Sequence, residues 1–203
     1  MSSSQYRQIL ENDMEVLQQL LQQELNRHLH LKADDTTQAS LRVLNLACGR
    51  ADESGMLGKL LRPFSPSLQV IGVDIRDREL DVARGRWISN NAVDFSFLHH
   101  DATKLHEIDE LSTPFDIAFM RHQNYWNGDL TWKRIYDSAL HRLKDDGLLI
   151  ITSYFDREHL LALKAIQQLG AKLLTTVKNP DSRILLDAPN KSVDRHVAVF
   201  RVG

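Results

Sequence analysis

The sequence has one cysteine, Cys48, in 203 residues. No disulfide can form within the chain, so packing alone must hold the fold, as expected of a protein from a reducing, cytoplasmic setting. No apolar run approaches the roughly 20 residues that span a bilayer. The start, MSSSQYRQILEND, is too polar and charged for a secretory signal. An excess of one charge is missing too: 25 Lys and Arg stand against 27 Asp and Glu, a formal net charge of −2. That balance excludes a strong non-specific pull toward nucleic acid or an anionic membrane. Repeats and low-complexity tracts are absent. The length suits a single domain with a sizeable core.

The most informative stretch is RVLNLACGRADE, Arg42–Glu53. Val43, Leu44 and Leu46 form the short apolar run of a central parallel strand, covered on both faces. Gly49 then marks a tight turn, where a missing side chain lets backbone lie directly against a ligand. Asp52 or Ser54 is placed to cap the helix that follows, which runs to Leu61 and is stopped by Pro63 and Pro66. Cys48, beside the turn, is expected as a small buried thiol rather than a nucleophile. A second strand, Leu68–Asp74, ends in an acid about 25 residues beyond Gly49. Dinucleotide folds place a ribose-binding carboxylate at a similar spacing, because vicinal hydroxyls can each donate to one of its oxygens.

The remaining elements follow from periodicity. Tyr6, Leu10, Met14, Leu17, Leu21, Leu25 and Leu29 draw one stripe on an N-terminal amphipathic helix within 1–31, serving as a packing helix or a lid. Lys32–Ser40 reads as a polar connector to a domain at 40–203. Asp77–Asn90 is helical, with Leu80, Ala83 and Trp87 inward. Phe95, Phe97 and Leu98 belong to a third strand and Phe115–Met120 to a fourth. Leu130–Leu143 is a helix that turns at KDDG, with Gly147 as its stop residue. Gly147–Ser153 forms a fifth strand, and Arg157–Leu169 a further helix. The helix-free connection between Ala171–Val177 and His196–Val202 favours antiparallel pairing of these two strands. Ser182–Asp187 reads as an extra strand or as a loop over the acceptor. His99 and His100 are neighbours on a strand and point to opposite faces, so no metal site is expected.

RVLNLACGRADE resembles the first motif of the class I S-adenosylmethionine-dependent methyltransferases. Asn45 stands at the usually acidic position, Ala47 and Ala51 replace the outer glycines, and the central Gly49 is kept. An alanine fits such a turn when its backbone angle is ordinary. RLKDDGLLIITSYF looks like the family's corresponding helix, turn and fifth strand. The resemblance implies an α/β fold with a doubly wound, mostly parallel seven-stranded sheet and an antiparallel last strand, preceded here by the N-terminal helix. It implies S-adenosylmethionine as cofactor, held around Asn45, Ala47, Cys48 and Gly49, with Asp74 on the ribose and Ile75 against the adenine. Asp101 would accept from the adenine amino group, the backbone of Ala102 would serve a ring nitrogen, and Arg121 would touch the cofactor through its backbone.

The implied reaction is in-line methyl transfer. The acceptor side falls on the loops after the fourth and fifth strands, with His122 and Tyr125 as candidate catalytic residues and Trp126, Tyr154 and Phe155 as candidate acceptor contacts. His122 can act as a general base near neutral pH; alternatively Tyr125 and Trp126 only plug the space beneath a helix. The Asn/Asp-Pro-Pro-aromatic signature of base-amino methylation is replaced by RHQNYW, and no proline–cysteine nucleophile occurs. A small-molecule acceptor is therefore favoured over nucleic acid, while a protein acceptor or a homo-oligomer stays open. Two rivals remain: a relative that binds the cofactor without catalysis, and a nicotinamide-dependent oxidoreductase. The latter's third fingerprint glycine would fall on Asp52, where a side chain obstructs helix–strand packing.

Overall fold

A computed structural model describes residues 3–29 and 40–203. The connector expected at 32–40 lies, apart from Ser40, outside them. The elements run α1 (Ser3–His28), β1 (Leu41–Leu46), α2 (Ser54–Leu61), β2 (Leu68–Asp74), α3 (Asp77–Arg86), β3 (Val93–His99), β4 (Phe115–Met120), α4 (Asp129–Leu140), β5 (Leu143–Ser153), α5 (Asp156–Gln168), β6 (Lys172–Lys178) and β7 (His196–Arg201), with short 3-10 turns between β3 and α4. No helix among the described residues is long and apolar enough to cross a membrane.

The strands form one seven-stranded sheet in the order β3-β2-β1-β4-β5-β7-β6. β7 alone runs antiparallel, against both β5 and β6. Strand alternation divides the core in two. Val43, Val70, Ile117, Phe119, Ile150 and Val199 pack with leucines of α1 and α2 on one face. Leu44, Ile71, Ala118, Leu149, Ile151 and Phe200 pack with α4 and α5 on the other. The inner strands β1, β2, β4, β5 and β7 are thus apolar on both sides, as a helix-covered sheet requires. The stripe on α1 is buried at Met14, Leu17, Leu21 and Leu25.

Three boundaries differ from the sequence expectation by three residues or more. α3 ends at Arg86 rather than Asn90, because Trp87 turns extended and folds its ring back over Gly55 of α2. α4 ends at Leu140, and Gly147 does not stop it. Instead Lys144–Gly147 lie inside β5, which starts at Leu143 opposite Phe115 and shifts register before Leu148 pairs with Ile117. Ser182–Asp187 is a loop whose one bridge, Ile184 with Ser192, closes a small arm. Its base is tied to the β5–α5 corner by the Ser192 N–H on the Tyr154 carbonyl at 3.2 Å.

β1 has β2 on one side and β4 on the other, so the strand order reverses there. The crevice beyond the carboxyl ends of strands at such a reversal is where open α/β sheets bind ligands.

Candidate active site

The turn leaving β1 is built from three left-handed residues: Ala47 at φ 53°, Gly49 at 53° and Ala51 at 51°. The expectation of ordinary angles at the two alanines is thus corrected. Both hold the conformation that glycine takes freely, at a cost of about 1–2 kcal/mol each. Neighbours enforce it: the Trp87 indole N–H donates to the Ala51 carbonyl at 2.7 Å, and the Cys48 N–H to the Val73 carbonyl at 3.3 Å. The helix cap also differs. α2 starts at Ser54 after Glu53, which makes no side-chain cap bond. Asp52 pairs with Arg86, and the Ser54 hydroxyl is buried without a partner. Glu53 reaches back to β1 instead, where the Asn45 amide donates to its Oε1 at 2.5 Å. An acid eight residues downstream thereby occupies the region of the usual motif acid. Burial pushes the Glu53 carboxyl up, against the opposing pull of Arg121 and Asn45.

Asp74 ends β2 with a side chain only 2% exposed. Its Oδ2 accepts the Gly49 N–H at 2.7 Å, which brings the acid at the end of β2 against the turn glycine. Burial pulls this carboxyl up, but the bonds from Arg76 and from Gly49 outweigh it and hold the group below its ordinary value. The Cys48 thiol is pushed well up by burial and by the nearby acids, so it is no nucleophile.

A second cluster closes the opposite wall. Arg121, at the end of β4, forks onto Asp194 through Nε at 3.0 and 3.1 Å and Nη2 at 2.6 Å. The Thr152 hydroxyl donates to Asp194 Oδ1 at 2.8 Å. His122, at φ 57°, places Nε2 2.8 Å from Asp194 Oδ1 and 3.1 Å from the Asp194 N–H. Nδ1 is the ring nitrogen that Asp194 does not engage. Burial lowers the His122 pKa despite Asp194, so the ring is neutral at pH 7. Burial raises the Asp194 carboxyl, but the Arg121 guanidinium, helped by the hydrogen bond from His122, overrides it and holds the group well below its ordinary value. The His122 ring stacks on Tyr154 with centroids 3.9 Å apart, and burial pushes the Tyr154 phenol up to about 12.

These walls enclose a cavity of about 380 Å³ lined by Tyr6, Ala47, Cys48, Gly49, Arg50, Asp52, Glu53, Arg76, Glu79, Arg121, His122 and Tyr154. Of the residues anticipated from sequence, Ala47, Cys48, Gly49, Arg121, His122 and Tyr154 meet there, and Asn45 and Asp74 stand directly behind. Arg121 lines the cavity with its guanidinium locked on Asp194. Asp101 and Ala102 follow His100, whose N–H bonds the Asp74 carbonyl at 3.1 Å. The Asp101 carboxylate is turned onto Thr103, accepting from its N–H at 2.9 Å and its hydroxyl at 2.8 Å. Ile75 is 67% exposed and outside the lining. Tyr125 is buried on Tyr136, while Trp126 and Phe155 meet edge to face at 5.1 Å outside the lining.

Sequence reading did not single out Glu53, Arg76 or Asp194 as site residues. Tyr6 entered only as part of the α1 stripe, yet it brings that helix to the cavity edge. The bare Gly49 backbone, the buried acid facing it and the volume all fit a nucleoside-bearing cofactor.

The family described as "Methyltransferase domain" matches residues 43–147. The chain belongs to it. No curated protein matches the chain by sequence. Among solved structures, an S-adenosylmethionine-dependent methyltransferase from Clostridium acetobutylicum superposes with a TM-score of 0.64 at 11% identity, covering 93% of this chain and 92% of its own. Magnesium protoporphyrin IX methyltransferase from Synechocystis, with bound S-adenosylmethionine, gives 0.62 at 13%, covering 96% and 84%. An rRNA methylase from Streptococcus thermophilus gives 0.56 at 15%, covering 80% and 87%. At such identities the likeness shows the shared fold.

Proposed function

We propose that the chain is an S-adenosylmethionine-dependent methyltransferase acting on a small molecule. One observation carries the cofactor reading: a buried carboxylate at the tip of β2, bonded to the turn-glycine amide at 2.7 Å, beside a cavity at the point where strand order reverses. When bound, the cofactor supplies a methyl group already activated by the positive charge on its sulfur. The protein's work is then to hold, align and keep out water. Asp74 takes the ribose hydroxyls, and main chain around Gly49 lies against the nucleoside. Asp101, Ala102 and Ile75 stand beside the tip of β2, on the base side.

Tyr154 and His122 form the wall toward the acceptor. In the tautomer whose Nε2–H lies on Asp194 Oδ1, neutral His122 is able to take a proton from an attacking hydroxyl or amine at Nδ1. Trp126 and Phe155, beside Tyr154, offer aromatic faces at the mouth. Tyr125 supports that loop from beneath through its contact with Tyr136. Tyr6 gives α1 a lid edge in addition to its packing face. For a small acceptor, the support is the lining: Arg50, Arg76 and Arg121 are each paired with an acid, Glu79, Asp74 and Asp194, which leaves no basic track for a phosphate backbone.

Calorimetry with S-adenosylhomocysteine, followed by transfer of labelled methyl from the cofactor to small metabolites, total RNA and cell protein, tests this. Binding with label in the small-molecule fraction is expected. No binding removes the cofactor reading, and binding without transfer to any fraction leaves a catalytically silent relative. Label in RNA or protein overturns the acceptor.

A further inference from the structure

The nucleoside seat has an occupant of its own. Asp74 Oδ1 accepts the Arg76 N–H at 2.8 Å and its Nε–H at 3.0 Å, while Oδ2 accepts the Gly49 N–H at 2.7 Å and Arg76 Nη2 at 3.1 Å. A carboxylate offers about four acceptor sites, and protein donors fill all of them. The guanidinium also lies across the bare turn, with Nη2 2.7 Å from where a Cβ on Gly49 would stand. A ribose therefore finds neither Asp74 oxygen open and the Gly49 backbone covered.

We propose that Arg76 is a gate on the cofactor site, competing with the ribose for Asp74 and leaving the seat when cofactor binds. This rests on the reading of the cavity as a nucleoside site. The exchange balances: withdrawing the side chain frees one acceptor position on each oxygen, and two vicinal hydroxyls supply one donor to each. The two main-chain N–H bonds stay in place and hold the carboxylate still. Departure is easy, because the Arg76 side chain is 60% exposed. A landing place is near: the Arg76 guanidinium feels Glu79 in the first turn of α3, an acid that also binds Arg50 at 2.6 Å and lines the same cavity. Cofactor affinity is then reduced by whatever the Arg76–Asp74 fork contributes.

The test is calorimetric titration of S-adenosylhomocysteine into wild type, Arg76→Gln and Arg76→Lys. Glutamine keeps N–H donors within reach of the buried Asp74 carboxylate, and melting temperatures check that the variants fold. Arg76→Gln is expected to bind about two- to fivefold tighter, the ratio matching a part-exposed ion pair. Arg76→Lys keeps the charge without the fork and falls between. Raising ionic strength weakens the pair in wild type only, so the gap between wild type and Arg76→Gln narrows with salt. A passive structural role for Arg76 does not give that dependence. If wild type binds as tightly as Arg76→Gln or more tightly, the gate is overturned while the nucleoside reading stands. If no folded variant binds at all, the nucleoside reading fails and takes the gate with it.

Discussion

Ala47 lines the cavity while its φ of 53° holds it in a conformation that L side chains resist. Ala47→Gly removes that strain but adds freedom to the unfolded chain, so the net gain is about 0.5–1 kcal/mol. In a protein of this size that raises Tm by about 1–4 °C in a thermal melt. Ala51→Gly is expected to gain less, because its methyl is fully buried against Cys48, Leu80 and Phe97 and the substitution leaves a void. Asp74→Ala removes the proposed ribose acceptor and is expected to weaken S-adenosylhomocysteine binding by about 1.5–3 kcal/mol in calorimetry. His122→Ala is expected to lower turnover with cofactor affinity unchanged, and an unchanged rate removes His122 from the chemistry. At this scale the sequence revealed Gly49 and Asp74, since a glycine at a strand end and an acid at a fixed distance are properties of position. It could not reveal Asp194, which reaches Arg121 across 73 residues and belongs to no local pattern. Glu53 was hidden differently: as the residue before a helix it looks like a solvent-facing acid, and only its turn toward Asn45 makes it part of the site.

The elements were legible where their cause is periodic and obscure where it is a contact. The α1 stripe, with its steps of three and four, names the side chains that the structure buries. Leu21, fully buried on this stripe, is expected to cost about 2–5 kcal/mol when replaced by alanine, read from the shift of the urea midpoint. A cost below 1 kcal/mol would mean that α1 is not docked on α2 in solution. The early end of α3 had no such signal, because it depends on the Trp87 ring finding Gly55 and the Ala51 carbonyl, two partners more than 30 positions earlier. Gly147 misled for a related reason. Glycine after KDD suits a helix stop, yet Phe115 pairs with Leu143 and draws the same residues into β5. Local preference lost to a neighbouring strand.

For the molecule as a whole, the doubly wound sheet came from resemblance rather than from pattern, since apolar runs say which segments are strands and nothing about which lie side by side. Stability against pH is likewise a property of the entire fold, and it turns on two adjacent residues of α5. Glu158 is buried, with its carboxyl pushed up to about 7 by desolvation against N–H bonds from Tyr154 and Tyr125. His159, between Ser153 at 3.0 Å and Thr176 at 2.7 Å, is pushed down to about 3 by burial and by His196. Their unperturbed values are 4.5 and 6.5. Between those two values, folding gives Glu158 a proton that the unfolded chain lacks and takes from His159 one that the unfolded chain holds. The raised Glu158 contributes stability that is lost as pH rises toward 7, and the lowered His159 contributes stability that is lost as pH falls below 6.5. Across that window the two slopes, each about 1.4 kcal/mol per pH unit, oppose and cancel. Glu158→Gln removes one of them and keeps a carbonyl oxygen to accept the two N–H groups. Urea unfolding of this variant at a series of pH values between about 4.5 and 6.5 is therefore expected to show stability rising with pH more steeply than wild type by roughly 1.4 kcal/mol per unit. Parallel profiles for the two proteins would show that Glu158 folds with its ordinary pKa and that the buried acid in the first turn of α5 carries no proton.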